Sequence, residues 1–335
     1  MTHDARADIM ALASGAWRAQ ALYAAAKLGI ADLLRDGPKP ASTLAAACGA
    51  DPDALFRLMR ALVSIGVFAC NPDGSFTLTA ASELLRSDTA GSLRDYAIMQ
   101  GERWTWQSWG EIEFSVRTGR PAFEHVFGAP LFEYYNRHPE AGQVSAAALN
   151  ALSAADNDAV ASTYPFPRTG VVVDVGGGRG SLLGAILSRR PGMRGVLFER
   201  GAVAEAAAAD LAVAGLQARC EAVGGDFFSE IPAGGDVYVL KKVLHDWQDK
   251  QARAILQACR AAMNQTARLL IAEFVLPNND TPSAAKWLDL LMLVYAGGRE
   301  RTEAEYGDLL ASAGFSIGRV ISTKSGIGLL EGRPV

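Results

Sequence analysis

The sequence predicts an α/β protein in which a doubly wound sheet fills the C-terminal half and a mostly helical, winged-helix segment precedes it. Three observations carry this expectation. The stretch Val171-Val-Val-Asp-Val-Gly-Gly-Gly-Arg-Gly180 is an apolar run too short for a helix, followed at once by glycines that would break one. It reads as a buried strand ending in a ligand loop. From residue 171 onward, strand-length apolar runs alternate with stretches of helical periodicity, as in successive βαβ units. Ahead of it, three helical patterns are followed by two short β-type runs around Asn71-Pro-Asp-Gly74, which read as a hairpin.

Composition narrows the possibilities. With 335 residues, half of them hydrophobic, the chain has material for a large core and is long enough for two domains. A formal net charge of -4 argues against a nucleic-acid surface, which shows as clustered basic charge. A small-molecule partner is expected instead. Cys48, Cys70, Cys220 and Cys259 are far apart with no C-x-x-C, so neither a zinc cluster nor a disulfide framework is indicated. The N-terminus, Met1-Thr-His-Asp-Ala-Arg, has no apolar h-region, and no apolar stretch approaches the roughly 18 residues of a membrane span. A soluble, cytoplasmic protein with reduced thiols is the expectation.

Along the chain, Ile9, Leu12, Trp17, Leu22, Leu28, Ile30, Leu33 and Leu34 recur at helical spacing and predict one or two amphipathic helices. Pro38 and Pro40 interrupt, and Ser42 is a candidate N-cap for a short helix through Cys48. Asp51, with Pro52 in the first turn, should cap a longer helix ending at Gly66, with Leu55, Leu58, Met59, Leu62 and Ile65 on its apolar side. Helices followed by a hairpin also suit DNA binding. The would-be recognition helix offers Asp51, Asp53, Arg57 and Arg60, however, with no excess of the positive charge on which phosphate binding depends. An interaction module, packed against a second copy, is the preferred reading.

Residues 92–135 concentrate the aromatics, among them Trp104, Trp106, Trp109, Phe114, Phe123, Phe127, Phe132, Tyr134 and Tyr135. Such a cluster builds a core first, yet pockets favour the same residue types, so Trp104, Trp106, Phe114 and Phe132 are candidate cavity walls. A helix is expected from Ala146 to Val160, and Tyr164-Pro-Phe-Pro167 reads as a linker. The expected division is residues 1–100 for dimerisation, 101–165 for a helical pocket region and 166–335 for the catalytic domain.

The chemistry gathers beyond strand ends. Asp174-x-Gly176-x-Gly178-x-Gly180 does not match the dinucleotide fingerprint G-x-G-x-x-G, and no Gly-Lys-Ser/Thr follows as a P-loop requires. The next strand ends at Glu199, whose carboxylate could accept bonds from both hydroxyls of a ribose. A nucleoside therefore fits better than a pyrophosphate. Asp226, His245 and Glu273 also follow strand ends. His245, flanked by Asp246 and Trp247, suits proton removal near neutrality, because the unperturbed imidazole pKa is roughly 6.5.

Asp174-x-Gly-x-Gly-x-Gly180, Gly225-Asp-Phe-Phe, Leu240-Lys-Lys-Val-Leu-His-Asp-Trp247, Ala272-Glu273 and Gly297-Gly-Arg-Glu-Arg-Thr302 occur here in order. In these motifs the chain resembles the caffeic acid O-methyltransferase-like family over nearly its whole length. The resemblance implies a class I methyltransferase, Rossmann-like sheet with a winged-helix dimerisation domain, a homodimer, S-adenosylmethionine as cofactor and no metal. It implies His245 as general base, oriented by Glu273 and Glu300. It implies cofactor contacts from Asp174, Gly176, Gly178, Glu199, Asp226, Phe227, Lys241 and Trp247. Substrate-pocket candidates are then Trp104, Trp106, Phe114, Phe132, Ala148, Leu152, Asp246 and Met292. This chain departs from the family in having Glu199-Arg-Gly201 where many relatives have Asp-Leu-Pro, and Ala148 with Leu152 where relatives place larger apolar pairs. The smaller alanine suggests a roomier cavity. Three functions follow in order: O-methylation of a hydroxylated aromatic, N-methylation or a non-methylating reaction on the same fold, and a catalytically silent dimeric binding protein.

Overall fold

The computed structural model describes residues 4–335; Met1 to His3, the start of the N-terminus read above, lie outside the described residues. The chain divides into two compact units, Met1–Gly110 with Phe132–Ser153, and Glu111–Leu131 with Ala154–Val335.

The first unit begins with α1 (Ala5–Ala13), α2 (Gly15–Lys27), α3 (Ile30–Leu33) and α4 (Ala41–Cys48). Pro40, not Ser42, stands at the N-cap of α4. Proline arrives in an extended conformation with φ already set, so the helix starts two residues earlier than a serine cap would place it. Asp51 does cap α5 (Pro52–Ser64), accepting from the Ala54 N–H at 2.9 Å. Strands β1 (Phe68–Cys70) and β2 (Phe76–Leu78) pair antiparallel with Phe68 opposite Leu78, and Gly74 takes the positive φ of 83° that the turn requires. Ile30, Leu44, Leu55, Met59, Leu62, Phe68 and Phe76 form the core between helices and hairpin. Then follow α6 (Ala80–Glu83), opened by a Thr79/Ser82 capping box, α7 (Arg94–Gly101) and α8 (Arg103–Gly110).

Helices α9 (Ile112–Thr118) and α10 (Ala122–Phe127) belong to the second unit. After α11 (Leu131–Arg137) comes α12 (Pro139–Thr163), 25 residues long and so longer at both ends than the sequence suggested. Pro139 opens it, where the missing N–H costs nothing, and Gly142 does not interrupt it. Its C-terminal turns, with Tyr164 and Phe166 behind them, pack onto the sheet.

The second unit alternates β3 (Thr169–Val175), α13 (Ser181–Arg189), β4 (Gly192–Glu199), α14 (Gly201–Val213), β5 (Cys220–Gly224), β6 (Val237–Lys241), α15 (Asp249–Ala262) and β7 (Arg268–Glu273). After β7 come β8 (Val275–Leu276), α16 (Ala284–Tyr295), β9 (Arg301–Thr302), α17 (Glu303–Ser312), β10 (Phe315–Ser322) and β11 (Gly328–Pro334). The main sheet runs β10-β11-β7-β6-β3-β4-β5, parallel from β7 to β5, with β11 antiparallel to both its neighbours. Both faces are covered, which explains apolar runs without alternation. On one face Val173, Tyr238, Leu240 and Ile271 meet Ile255 and Leu256 of α15 and Leu310 of α17. On the other, Val172, Val239 and Leu270 meet Leu183 and Ile186 of α13. The strand order reverses between β3 and β6, and a parallel sheet presents its ligand crevice there, at the carboxyl ends.

Candidate active site

The glycine loop closes the carboxyl end of β3. Gly176, Gly178 and Gly180 have φ of 71°, 57° and 80°, a region that costs other residues strain. The Gly176 N–H donates to the Phe198 carbonyl at 2.8 Å, fixing the loop to β4. A Cβ on Gly176 would lie 2.9 Å from Val243 Cγ2. At the end of β4, Glu199 accepts from the Gly178 N–H at 3.2 Å and from the Arg200 N–H at 2.9 Å. Asp226, beyond β5, accepts from the Phe228 N–H at 2.9 Å, which turns Phe227 and Phe228 toward Trp247. Phe228 meets Trp247 edge-on at 4.8 Å, and Phe227 lies 5.0 Å from Phe228 and 6.1 Å from Trp247.

Two groups beside this loop have unusual acidity. Asp174 is buried and its Oδ2 has no hydrogen-bond partner. Burial pushes its pKa up to about 7 against the opposing charge of Lys241. Burial, with Lys242 beside it, lowers the Lys241 ammonium to about 8. Lys241 donates to Asn157 Oδ1, and Asn157 donates at 2.9 Å to Ser181 at the start of α13. Lys242, at a positive φ of 54°, pairs with the buried Asp156. Asp156 and Asn157 were not singled out from the sequence, because two polar residues on an alanine-rich helix carry no periodic signal.

The second cluster follows β6 and β7. A 3₁₀ turn, Leu244–Asp246, carries His245. Its Nδ1 donates to Glu300 Oε1 at 2.8 Å, with Glu273 Oε2 at 3.6 Å, while Asp246 Oδ1 is 3.7 Å from Nε2. Glu273 and Glu300 are fully buried, and β8 and β9 bring them together by pairing Val275 with Arg301 just beyond each of them. The Val243 and Leu244 N–H groups donate to Glu273 Oε1 at 3.0 and 2.9 Å, and the Glu300 N–H donates to Asp289 at 2.9 Å. Burial opposes the imidazolium, but Glu273, Asp246 and Glu300 outweigh it and raise His245 to about 10. Burial likewise raises Glu273, to about 7.

His245, Glu273 and Glu300 are also the residue types of a cation site, with ligand atoms within 4.8 Å of one another. The Nδ1–Oε1 hydrogen bond already occupies the imidazole nitrogen facing the carboxylates. A cation would have to displace that proton.

The residues proposed for the cofactor therefore lie along the carboxyl end of the sheet, from β5 to β6, with His245 and its two glutamates beside them. The pocket candidates are divided between the two units. Trp104, Trp106, Phe132, Ala148 and Leu152 belong to the first unit, and Phe114, Asp246 and Met292 to the second. Trp104 and Ala148 are buried, whereas Trp106 and Phe132 are exposed. Phe114 stacks on His125 at 3.9 Å.

The loop residues fit an adenosyl sulfonium. The loop passes where a side chain would collide, Asp174 has an unused buried oxygen, Glu199 ends a strand, and three aromatic rings stand next to it. S-Adenosylmethionine would be held by these groups, with an electrophilic methyl on a positively charged sulfur.

Two family models match the chain, an O-methyltransferase domain over residues 109–316 and an O-methyltransferase dimerisation domain over residues 10–88. A phenazine O-methyltransferase of Lysobacter antibioticus is 46% identical over 342 residues, covering 100% of both chains. An 8-amino-8-demethylriboflavin N,N-dimethyltransferase of Streptomyces davaonensis is 40% identical, over 88% of this chain and 86% of its own. The solved O-methyltransferase of neocarzinostatin biosynthesis, in complex with S-adenosylmethionine and 2-hydroxy-5-methyl naphthoic acid, superposes with a TM-score of 0.83 at 34% identity, covering 95% of this chain and 96% of that one. With dimerisation domain, glycine loop and class I sheet in one chain, the protein belongs to the caffeic acid O-methyltransferase-like family of S-adenosylmethionine-dependent methyltransferases, in its secondary-metabolism branch.

Proposed function

We propose that this chain methylates a phenolic hydroxyl on a fused aromatic secondary metabolite, with His245 holding the acceptor's proton. One observation carries the reading: the 2.8 Å bond from His245 Nδ1 to the buried Glu300. It commits Nδ1 and leaves Nε2 for exchange with the acceptor. The carboxylates raise His245 to about 10, close to a phenol, whose reference pKa is about 10. A proton shared between them has little preference for either, so the acceptor oxygen gains phenolate character at small cost. Positioning and the imidazolium's field supply the rest. The similarity to a phenazine O-methyltransferase supports a fused-ring acceptor.

The reacting pair shares one proton between Nε2 and the acceptor oxygen, whereas the resting imidazolium at Nε2 and the free phenol carry one each. Turnover should therefore rise with pH, by about tenfold per unit in kcat/KM between pH 7 and 9. His245→Ala should leave cofactor affinity unchanged and lower turnover by roughly 10²- to 10⁴-fold. That factor should hold steady over the same range, since parent and variant both need one proton removed. Assays on a panel of hydroxylated fused aromatics, with the methylated position found by NMR, test both points. Near-parental turnover of His245→Ala at pH 7 would sink the base assignment.

A second reading has its own support. A histidine held at about 10 rests protonated at neutral pH, and a heteroaromatic nitrogen attacks through a lone pair without losing a proton. An N,N-dimethyltransferase is among the relatives. For such an acceptor the pH profile is flat through neutrality and His245→Ala is tolerated.

A further inference from the structure

Arg301 is the largest side chain among those fully buried, at 1% exposure, yet it touches no reacting group. Its guanidinium reaches over to the His245 turn. Nη1 donates to the Leu244 carbonyl at 3.0 Å and to the Arg299 carbonyl at 3.3 Å. Nη2 donates to the Trp247 carbonyl at 2.7 Å and to Asp249 at 2.9 Å, and Nε donates to the same Asp249 oxygen at 3.0 Å. The side chain thus grips the turn on both sides of His245 and the first residue of α15. Its own backbone follows Glu300 directly and pairs with Val275, two residues after Glu273. One residue joins the segment of the base to the segments of both glutamates.

We propose that Arg301 is a positioning residue that sets the His245–Glu300 contact. The proposal rests on the reading of His245 given above, and it concerns how that histidine is held rather than what it does. Loss of the four bonds to Leu244, Trp247 and Asp249 would leave the turn held to the β9 segment by the Arg299 N–H bond to the His245 carbonyl. About that bond it would tilt and carry the imidazole away from Glu300, since Leu244 and Trp247 bracket His245 while Arg301 adjoins Glu300. The fork geometry is what the site uses. A lysine ammonium presents its donors from a single point and cannot reach the Leu244 and Trp247 carbonyls and Asp249 together. The groups around the imidazole are Asp246 on its own turn, Glu273 from β7 and Glu300 beside β9. The buried Tyr306 hydroxyl of α17 faces the same group: burial, with Glu273 and Glu300, holds its pKa well above the usual phenol range while Arg301 opposes them, and its ring lies 6.0 Å from the Arg301 guanidinium carbon.

The test is the titration of His245 by NMR of the imidazole carbons in unliganded protein, which needs no substrate and no turnover. Arg301→Lys should lower the His245 midpoint by more than one pH unit, because Glu300 no longer stays in contact. Its S-adenosylmethionine affinity should stay within about threefold of the parent. With an acceptor, kcat should fall by more than about tenfold while the acceptor KM moves by less than about threefold. Asp249→Asn, at a half-exposed position, keeps the arginine but weakens its anchor, and should move the midpoint in the same direction by less. It also serves if Arg301→Lys does not fold. An unmoved His245 midpoint in folded Arg301→Lys, or in Asp249→Asn should the lysine variant not fold, would overturn the proposal and leave Arg301 a structural residue alone. Should His245→Ala prove fully active while the midpoint still moves in Arg301→Lys, the base assignment fails and the positioning stands.

Discussion

Asp174 shows at the scale of one residue how a site is paid for in stability. Its folded pKa is raised to about 7 by burial, whereas the unfolded carboxyl ionises near 3.9. Below that unfolded value both states bind the proton and nothing is lost. As pH rises from about 4 to 7 the unfolded state ionises first, and the folded state loses stability until both are charged. Asp174→Asn should therefore stabilise the protein by on the order of 1–3 kcal/mol at pH 8, with the gain shrinking toward pH 4. It should also weaken S-adenosylmethionine binding. Thermal melts across that range and calorimetry check the two halves, and a variant less stable than its parent at pH 8 would refute the first. His245, Glu273 and Asp174 were legible in the sequence because each stands at or just beyond an apolar strand, where a parallel sheet displays its ligands. Arg301 and Asn157 were not. Each acts by reaching backbone or side chains of a segment far away in the chain, and spacing encodes no such reach.

At the scale of elements, the turn that carries His245 is held by two separate segments, the end of β7 and the stretch that leads into β9. Glu273 takes two of its N–H groups, Arg301 takes two carbonyls around it, and the Arg299 N–H donates to the His245 carbonyl at 2.8 Å. The last contact is possible because Gly298 has no side chain, since a Cβ there would lie 2.0 Å from the His245 carbonyl oxygen. Backbone cannot yield as a flexible side chain does. Gly298→Ala should cost roughly 1–3 kcal/mol of stability and lower kcat by at least about tenfold with cofactor affinity retained, as chemical denaturation and steady-state kinetics would show. Unchanged kcat would mean that the turn tolerates displacement. Most elements were legible, because short unbroken apolar runs ending in glycine or a charge separate the doubly covered strands from helices, whose apolar residues recur with a period of about 3.6. The two-residue strands β8 and β9 have no period to read, although they bring Glu273 and Glu300 together. The Thr79/Ser82 capping box was equally silent, since serine at the third position lacks the usual Glu or Gln signature.

For the whole molecule, the first helix poses the question that a single chain leaves open. Helix α1 has no buried residue, and Ile9, Met10, Leu12 and Trp17 are exposed by 66%, 61%, 74% and 77%. Isolated apolar side chains on a surface need no explanation, but four within nine residues form the kind of patch that marks an interface. The dimerisation model covers residues 10–88 and so includes most of them. Their helical spacing was visible in the sequence, yet periodicity reports only that a face is apolar, not whether the same chain or a second copy covers it. Symmetry favours a second copy, since a twofold dimer buries the same patch on both partners. The double variant Leu12→Asp/Trp17→Asp should then dissociate the homodimer, or leave it aggregated, at micromolar concentration in size-exclusion chromatography with light scattering. Charges introduced at the centre of an apolar interface cannot be desolvated without partners. Removing the first 25 residues should impair solubility and turnover together. A variant that remains a fully active dimer would move the interface away from α1 and α2, and a parent protein that is monodisperse and active as a monomer would remove the need for one.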